Sequence, residues 1–180
     1  MKKYKLRLDL KLEVYSKTLY RIERLRDGKP TGDVGGYIES EANLSQDGTC
    51  WVYGDAWVYG NARVSGNAWV FGNAWVFGNA QVYGDALVYG DARVSGDAWV
   101  SGDAWISSVN EIVNFIIAFS FSITITPDNI AIGCQLKKRS EWLKVSIDDA
   151  EKMGLPRELF PQYRKLVKIG MKLVPKRSSK

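Results

Sequence analysis

Three sets of side chains in this 180-residue chain have the types and spacing for chemistry. The first is a series of carboxylates, Asp55, Asp85, Asp91, Asp97 and Asp103, separated by multiples of six residues. A carboxylate can act as a general base or hold a hard cation. Asn fills the same slot at Asn61, Asn67, Asn73 and Asn79, so turn geometry explains the series better than catalysis. Within it, Asp85 with Asp103, or Asp91 above Asn73, is the arrangement suited to holding a cation, and then only weakly. The second set is Cys50 and Cys134. A thiol nucleophile needs an activating neighbour, and the chain contains no histidine. Both cysteines fall at positions expected to point inward, and they read as reduced core thiols. The third set is Trp57, Trp75 and Arg93, 18 residues apart, which could stack nucleobases or form cation–π contacts. There is no P-loop, no dinucleotide fingerprint and no Cys/His metal spacing, so neither a cofactor nor a metal site is expected.

These residues are positioned by one repeated unit. Residues 51–106 read WVYGDA WVYGNA RVSGNA WVFGNA WVFGNA QVYGDA LVYGDA RVSGDA WVSGDA WI. A fixed short period takes precedence over other signals. Each unit predicts a short strand and a corner. Along Ala–Trp–Val–Tyr the side chains alternate, so Ala and Val share one face while Trp and Tyr share the other. The Gly–Asn/Asp pair is expected to turn the chain, because these residues tolerate positive φ. Val52 to Val100, with Ile106, and Ala56 to Ala104 are uniform, as stacked inner rungs must be. The aromatic slots vary, with Arg63, Gln81, Arg93, Ser65 and Ser95 among them, as an outer surface allows.

The repeat resembles the hexapeptide-repeat family, over about a third of the chain. The resemblance implies a mainly β fold, a left-handed parallel β-helix with three hexapeptides per coil, so that residues 18 apart stack on one wall. The first wall then carries Trp51, Trp69, Leu87 and Trp105, with Tyr53, Phe71 and Tyr89 beside them. The second carries Trp57, Trp75 and Arg93, with Tyr59, Phe77 and Ser95. The third is more polar, with Arg63, Gln81 and Trp99. Six aromatics on the first wall exceed the apolar patch of a typical soluble monomer, roughly 300–600 Å². Losing about 100 Å² each would yield a gross ~15 kcal/mol at ~25 cal/mol/Å², against the ~4–15 kcal/mol cost of association. The first wall is therefore expected to be buried by a symmetry mate or by the chain's own ends. A ligand platform and a plain stabilising ladder are the alternatives. The resemblance favours a homotrimer around a three-fold axis.

The flanks define three regions: N-terminal strands over 1–34, the β-helix over 35–110, and a C-terminal hairpin with helices over 111–180. Residues 3–15 alternate strictly, predicting a strand half-buried along Leu6, Leu8, Leu10, Leu12 and Val14, with 18–26 as its hairpin partner. A turn at Asp27–Gly28 leads into a loop from Lys29–Pro30. Residues 35–52 form an irregular first coil in which Ile38 and Ala42 fit the register and Gln46 stands where Val is expected. The N-terminal strands are expected to cover that open end. Residues 112–126 predict one long strand, returning over 130–135 as a hairpin. A short helix over 139–144, one capped at Ser146 and ending near Gly154, and a last one to about Leu173 follow. The strings GGYIES, GTCWV, IGCQ and the pair Glu141–Trp142 resemble a bacteriophage and prophage subfamily generally given an acyltransferase label.

Composition bounds the function. The net charge is +5, concentrated in residues 137–180, which carry 13 basic and 5 acidic residues. A basic tail can meet nucleic acid, although a solvated helix face is the commoner explanation. No secretory signal or membrane span is visible, so a cytoplasmic site, host cytoplasm if phage-encoded, is expected. The acyltransferases of the resembling family use a histidine base, and its β-helix carbonic anhydrases hold zinc with three histidines; this chain has neither resource. The expectation is a non-catalytic, self-assembling binding or scaffold protein, offering aromatic walls to its own copies or to a host protein whose system it could inhibit. The alternatives are a nucleotide or small-molecule sequestering protein and a degenerate acyltransferase.

Overall fold

The computed structural model describes residues 1–102, 104–115, 121–133 and 135–176. The chain divides into two compact units, Met1–Val109 and Asn110–Lys180.

The first unit opens with an antiparallel meander of β1 (Tyr4–Val14), β2 (Lys17–Arg26) and β3 (Lys29–Ile38). Ten two-residue rungs follow at six-residue intervals, β4 (Trp51–Val52), β5 (Trp57–Val58), β6 (Arg63–Val64), β7 (Trp69–Val70), β8 (Trp75–Val76), β9 (Gln81–Val82), β10 (Leu87–Val88), β11 (Arg93–Val94), β12 (Trp99–Val100) and β13 (Trp105–Ile106). They stack in parallel as β4–β7–β10–β13, β3–β5–β8–β11 and β6–β9–β12, forming a parallel β-solenoid of about four coils. Each wall pairs residues 18 apart, as in Trp51↔Trp69 and Trp57↔Trp75. Val52 to Val100 and Ile106 are fully buried, and Ala56 to Ala104 are at most 1% exposed. The inward assignment of Val and Ala therefore holds.

The corners work differently from expectation. Gly takes the positive φ, for example +70° at Gly84. Among the described residues the non-glycines with positive φ are Tyr15, Ser16 and Asp27, so the corner Asn and Asp stay outside the left-handed region. A Cβ at Gly84 would lie 2.8 Å from the backbone N of Gly102, one coil later. Glycine is needed there both for its φ and because backbone meets backbone.

The N-terminal segment departs from a simple hairpin. The residues read as a loop from Lys29 form β3, which pairs with β5 in parallel at Tyr37↔Trp57 and Ile38↔Val58. The meander thus continues the second wall. Ile38 sits 20 residues before its partner, as does Leu44 before Val64, while Val52 sits 18 before Val70. Two extra residues between Leu44 and Val52 displace the register, so Leu44 takes the inward slot and Gln46 does not. Gln46 Oε1 instead accepts from the Lys3 N–H at 2.8 Å, anchoring β1. Tyr4 is buried and donates to the Leu44 carbonyl at 2.7 Å. Asn43, also buried, donates to the carbonyls of Gly60 and Ala62 at 2.9 Å each, satisfying the open end of the coil. Cys50 occupies an Ala slot, fully buried, as expected. The half-buried face of β1 is interrupted: pairing shifts between Arg7 and Lys11, and Leu8 and Leu10 stand exposed beside that irregularity.

Glu39 fastens the end of the meander to the solenoid. Its carboxylate accepts from Lys17 Nζ and from the Gly60 N–H, each at 2.6 Å. Burial alone would push its pKa up, but these bonds outweigh it and hold the carboxyl below its ordinary value.

The second unit is an antiparallel sheet of β14 (Val113–Phe115), β15 (Ile123–Ile125), β16 (Asn129–Ile132) and β17 (Gln135–Lys138), with α1 (Arg139–Trp142), α2 (Ile147–Lys152) and α3 (Phe160–Leu173). The single strand expected over 112–126 is not formed. β14 and β15 pair with each other, Val113↔Ile125, so the apolar run folds back on itself. Residues 116–120 lie outside the described residues. Ile123, Ile125, Ile130 and Ile132 pack with Trp142, Tyr163 and Val167 into one core. The return strand ends at Ile132; Gly133, at φ +55°, precedes a fourth strand that begins at Gln135. Cys134 lies outside the described residues. Buried Arg139 donates to the carbonyls of Val174 at 2.7 Å and Met171 at 2.8 Å, holding the end of α3. Burial lowers its pKa, opposed by the charge of Asp128. Among the described residues no helix is long and apolar enough to cross a membrane.

Two outcomes test this account. Gly84→Ala combines left-handed strain of about 1–3 kcal/mol with a backbone clash, whereas Gly28→Ala, at φ +75° with nothing within 4 Å, carries strain alone. Thermal melting will show a distinctly larger loss for Gly84→Ala; equal losses would refute the close-approach argument. For Glu39, a depressed folded pKa gives stability that is complete above the unfolded value of about 4.3 and lost as pH falls through the folded one. Glu39→Gln will therefore lower the melting temperature at pH 7 and narrow that gap in acid.

Candidate functional site

The described Val and Ala that fill the solenoid interior are at most 1% exposed, so the candidate sites are external. On the first wall, strand pairing brings Trp51, Trp69, Leu87 and Trp105 into one column. Strand alternation puts Tyr53, Phe71 and Tyr89 in the column beside it. Adjacent rungs lie about 4.8 Å apart, close enough for rings to touch. Phe71 and Tyr89 stack at 5.1 Å between centroids, and Tyr53 meets Trp69 edge-on at 5.6 Å.

The column is unevenly covered. Trp51 is 0% exposed, Trp69 is 43% and Trp105 is 48% exposed. Leu87, Tyr53, Phe71 and Tyr89 are half-buried. The meander accounts for Trp51: Tyr4 meets it edge-on at 6.1 Å, and the Arg24 guanidinium lies 4.0 Å from its ring centroid. Its indole N–H is buried without a hydrogen-bond partner among the described residues, at a typical cost of about 1–3 kcal/mol. The N-terminal meander therefore buries the first wall at its first rung, while Trp69 stays exposed. Tyr53, Trp69 and Phe71 line a groove of about 370 Å³.

On the second wall Trp57 and Trp75 stack at 4.5 Å, 14° from parallel, and Arg93 sits 4.3 Å from the Trp75 centroid. Trp75 thus has one face on Trp57 and a guanidinium at its ring. A base would have to displace one of them, which weakens this trio as a nucleobase platform. Tyr59 and Phe77 stack alongside at 5.2 Å. The residue order alone did not reveal Tyr15, which reaches Trp75 edge-on at 6.4 Å. Its signal was a two-residue turn, Tyr15–Ser16, occupied by residues that disfavour the positive φ they adopt (+48° and +62°). Arg24 and Tyr4 were equally hidden, because their contact with Trp51 depends on the meander's path.

The corner carboxylates do not converge. Asp55 pairs with Arg21 at 2.8 Å. Asn67 donates to Asp85 at 3.0 Å, Asn73 to Asp91 at 3.2 Å, and Asn79, itself accepting from Asn61 at 3.1 Å, donates to Asp97 at 2.9 Å. In these three pairs the amide of the earlier coil donates to the carboxylate of the next. The Asp91–Asn73 step is a hydrogen bond within the protein, and Asp103 lies outside the described residues. No group of three or more His, Cys, Asp or Glu that could hold a metal occurs among the described residues.

A family model described as the YdcK beta solenoid repeat matches residues 56–72, 62–78 and 80–95. The matches fall within the repeat, and together with the stacked walls they support a β-solenoid repeat family for this part of the chain. No curated protein matches the chain.

The ladder makes a sharp forecast. Asn79→Asp replaces a donor by an acceptor and sets two carboxylates on adjacent rungs, costing about 0.2–1 kcal/mol at neutral pH. The repulsion is between exposed charges, so the loss should shrink at high salt. Denaturant titrations at low and high salt check this; a salt-independent loss would rule out the charge explanation.

Proposed function

We propose that the chain is a non-catalytic assembly or binding protein whose first wall docks against a flat protein surface, with a second copy as first occupant and a homotrimer as the assembled form. One observation carries the reading. Within a single column of stacked residues, the Trp covered by protein is fully buried, while Trp69 and Trp105 retain 43% and 48% of their exposure. The meander supplies Tyr4 and Arg24 to Trp51; a partner would supply the equivalent to Trp69. Large aromatics with few rotamers are the side chains that dominate interface energetics. The histidine-free composition supports a non-catalytic role over acyl transfer. The hexapeptide and phage-type resemblance favours three-fold association, a cytoplasmic setting and, beyond self-assembly, a host protein as a second partner.

A second reading has its own support. The groove between Tyr53, Trp69 and Phe71 is within the roughly 300–1,000 Å³ range of small-molecule sites, and its apolar walls suit a flat ring. Ligand sequestration there would leave the chain monomeric.

Light scattering on the purified chain separates the two. Self-assembly requires a particle three times the 20.2 kDa protomer, and Trp69→Lys with Trp105→Lys should return it to monomers. At about 2 kcal/mol or more per central aromatic, each substitution should weaken association at least thirtyfold. A parent chain that remains monomeric at high concentration would overturn the trimer; a trimer unaffected by the double substitution would overturn the choice of wall.

A further inference from the structure

We propose that α3 carries a basic ribbon that binds the phosphate backbone of duplex nucleic acid, independently of the aromatic walls. Residues 160–176 contain Arg164, Lys165, Lys168, Lys172 and Lys176 and no carboxylate. The helix packs Phe160, Tyr163, Val167 and Gly170 into the core of its unit. At about 100° per residue, Arg164, Lys165, Lys168 and Lys172 fall in one sector about 100° wide beside that buried stripe. All four are exposed.

A solvated helix usually intersperses acids four residues from its cations, which gains a few tenths of a kcal/mol per pair. Here the four-residue spacings, Arg164 to Lys168 and Lys168 to Lys172, are like-charged and therefore unfavourable in the free protein. None of the four is ion-paired among the described residues; the pairs of this unit join Arg157 to Asp148 and Glu151. Arg164 donates to the Leu143 carbonyl at 3.4 Å, which brings Lys144 next to the ribbon's first residue. A polyanion would relieve the repulsion.

The shape of the ribbon selects among polyanions. Arg164 to Lys172 spans ~12 Å of helix, a length over which one strand of a duplex presents about three to four phosphates. Single strands are usually held on aromatic stacking platforms, and the ribbon contains no aromatic residue. An anionic membrane needs an apolar face between flanking cations. The buried face of α3 is in the core, and the large exposed apolar side chains of the helix, Ile169 and Leu173, are only two, too few for an embedding face. With no Asn or Gln in the sector, the contacts are to phosphate and carry no sequence preference.

The test is fluorescence anisotropy with the full chain and a labelled 20-base-pair duplex across a salt series. Four phosphate contacts predict a slope of log K against log salt of about −3 to −4. Lys165→Gln, Lys168→Gln and Lys172→Gln together, all at exposed positions, should flatten it by about 2.7. Removing three cations elsewhere, with Lys2→Gln, Lys11→Gln and Lys29→Gln, should leave it unchanged. Circular dichroism confirms that each variant is folded. Absence of binding at low salt would overturn the proposal, as would an unchanged slope in the α3 variant or an equal change in the control. Preferential binding to phosphatidylserine vesicles over duplex would overturn it in favour of a membrane surface.

Discussion

The close approach of backbone to backbone at the glycine corners is the constraint from which the rest of the first unit follows. Gly84 leaves no space for a Cβ beneath Gly102, so successive coils can settle at one spacing. Once the corners are locked, residues 18 apart must face each other. The inner face can then accept only side chains that tile against copies of themselves, and Val and Ala do so. The same lock makes the outer columns obligatory: an aromatic at one rung is brought against whatever stands 18 residues later. Stacked pairs such as Trp57–Trp75 are thus a consequence of coil geometry as well as a stabilising contact.

Regularity leaves two difficulties, an open end and flat exposed walls. The N-terminal segment resolves the first by breaking the period. Two residues beyond the strict count free Gln46 from the interior, and it then pins the start of β1. Asn43 satisfies carbonyls that would otherwise lack a donor. The meander extends a wall through β3 and also shields the first rung of another at Trp51. The polar ladders limit the corners in turn. An amide both donates and accepts and can propagate along a ladder, whereas a carboxylate only accepts and closes it. Asp85, Asp91 and Asp97 each accept from an amide one coil earlier.

The solenoid was legible because its period is short and nearly perfect: Val52 to Val100 dictated the inner face, and the 18-residue stacking of Trp51, Trp69, Leu87 and Trp105 followed from three units per coil. Where periodicity ended, so did that clarity. Lys29–Pro30 carried turn chemistry, yet the chain continues as β3 because pairing with β5 outweighs local preference. Residues 112–126 offered an apolar run without a break strong enough to reveal that β14 and β15 pair with each other. Of the candidate site, the columns could be read directly; their covering could not. Tyr4, Tyr15 and Arg24 reach their aromatic partners through the path of the meander, and no local pattern encodes a path. The Asn/Asp slot was correctly placed at the corner but given a backbone role, when its work is done by the side chain.

The location of function follows from what the fold denies. The described interior is filled by Val and Ala, and the described corner carboxylates are engaged by Arg21 or by the ladder amides. For the binding role proposed above, that leaves the outer faces. There the covered and uncovered rungs of one column form an internal comparison: residue type and strand geometry are the same at Trp51 and Trp69, and protein cover is what differs. A wall that already accepts Tyr4 and Arg24 over its first indole has a surface chemistry suited to accepting other protein atoms over the next. The favourable term is burial of aromatic area, and the cost visible at Trp51 is an indole N–H deprived of its partner. A partner that supplied a carbonyl to the indole of Trp69 would avoid that cost, so a contact there would be stronger than the one the chain makes with itself at Trp51.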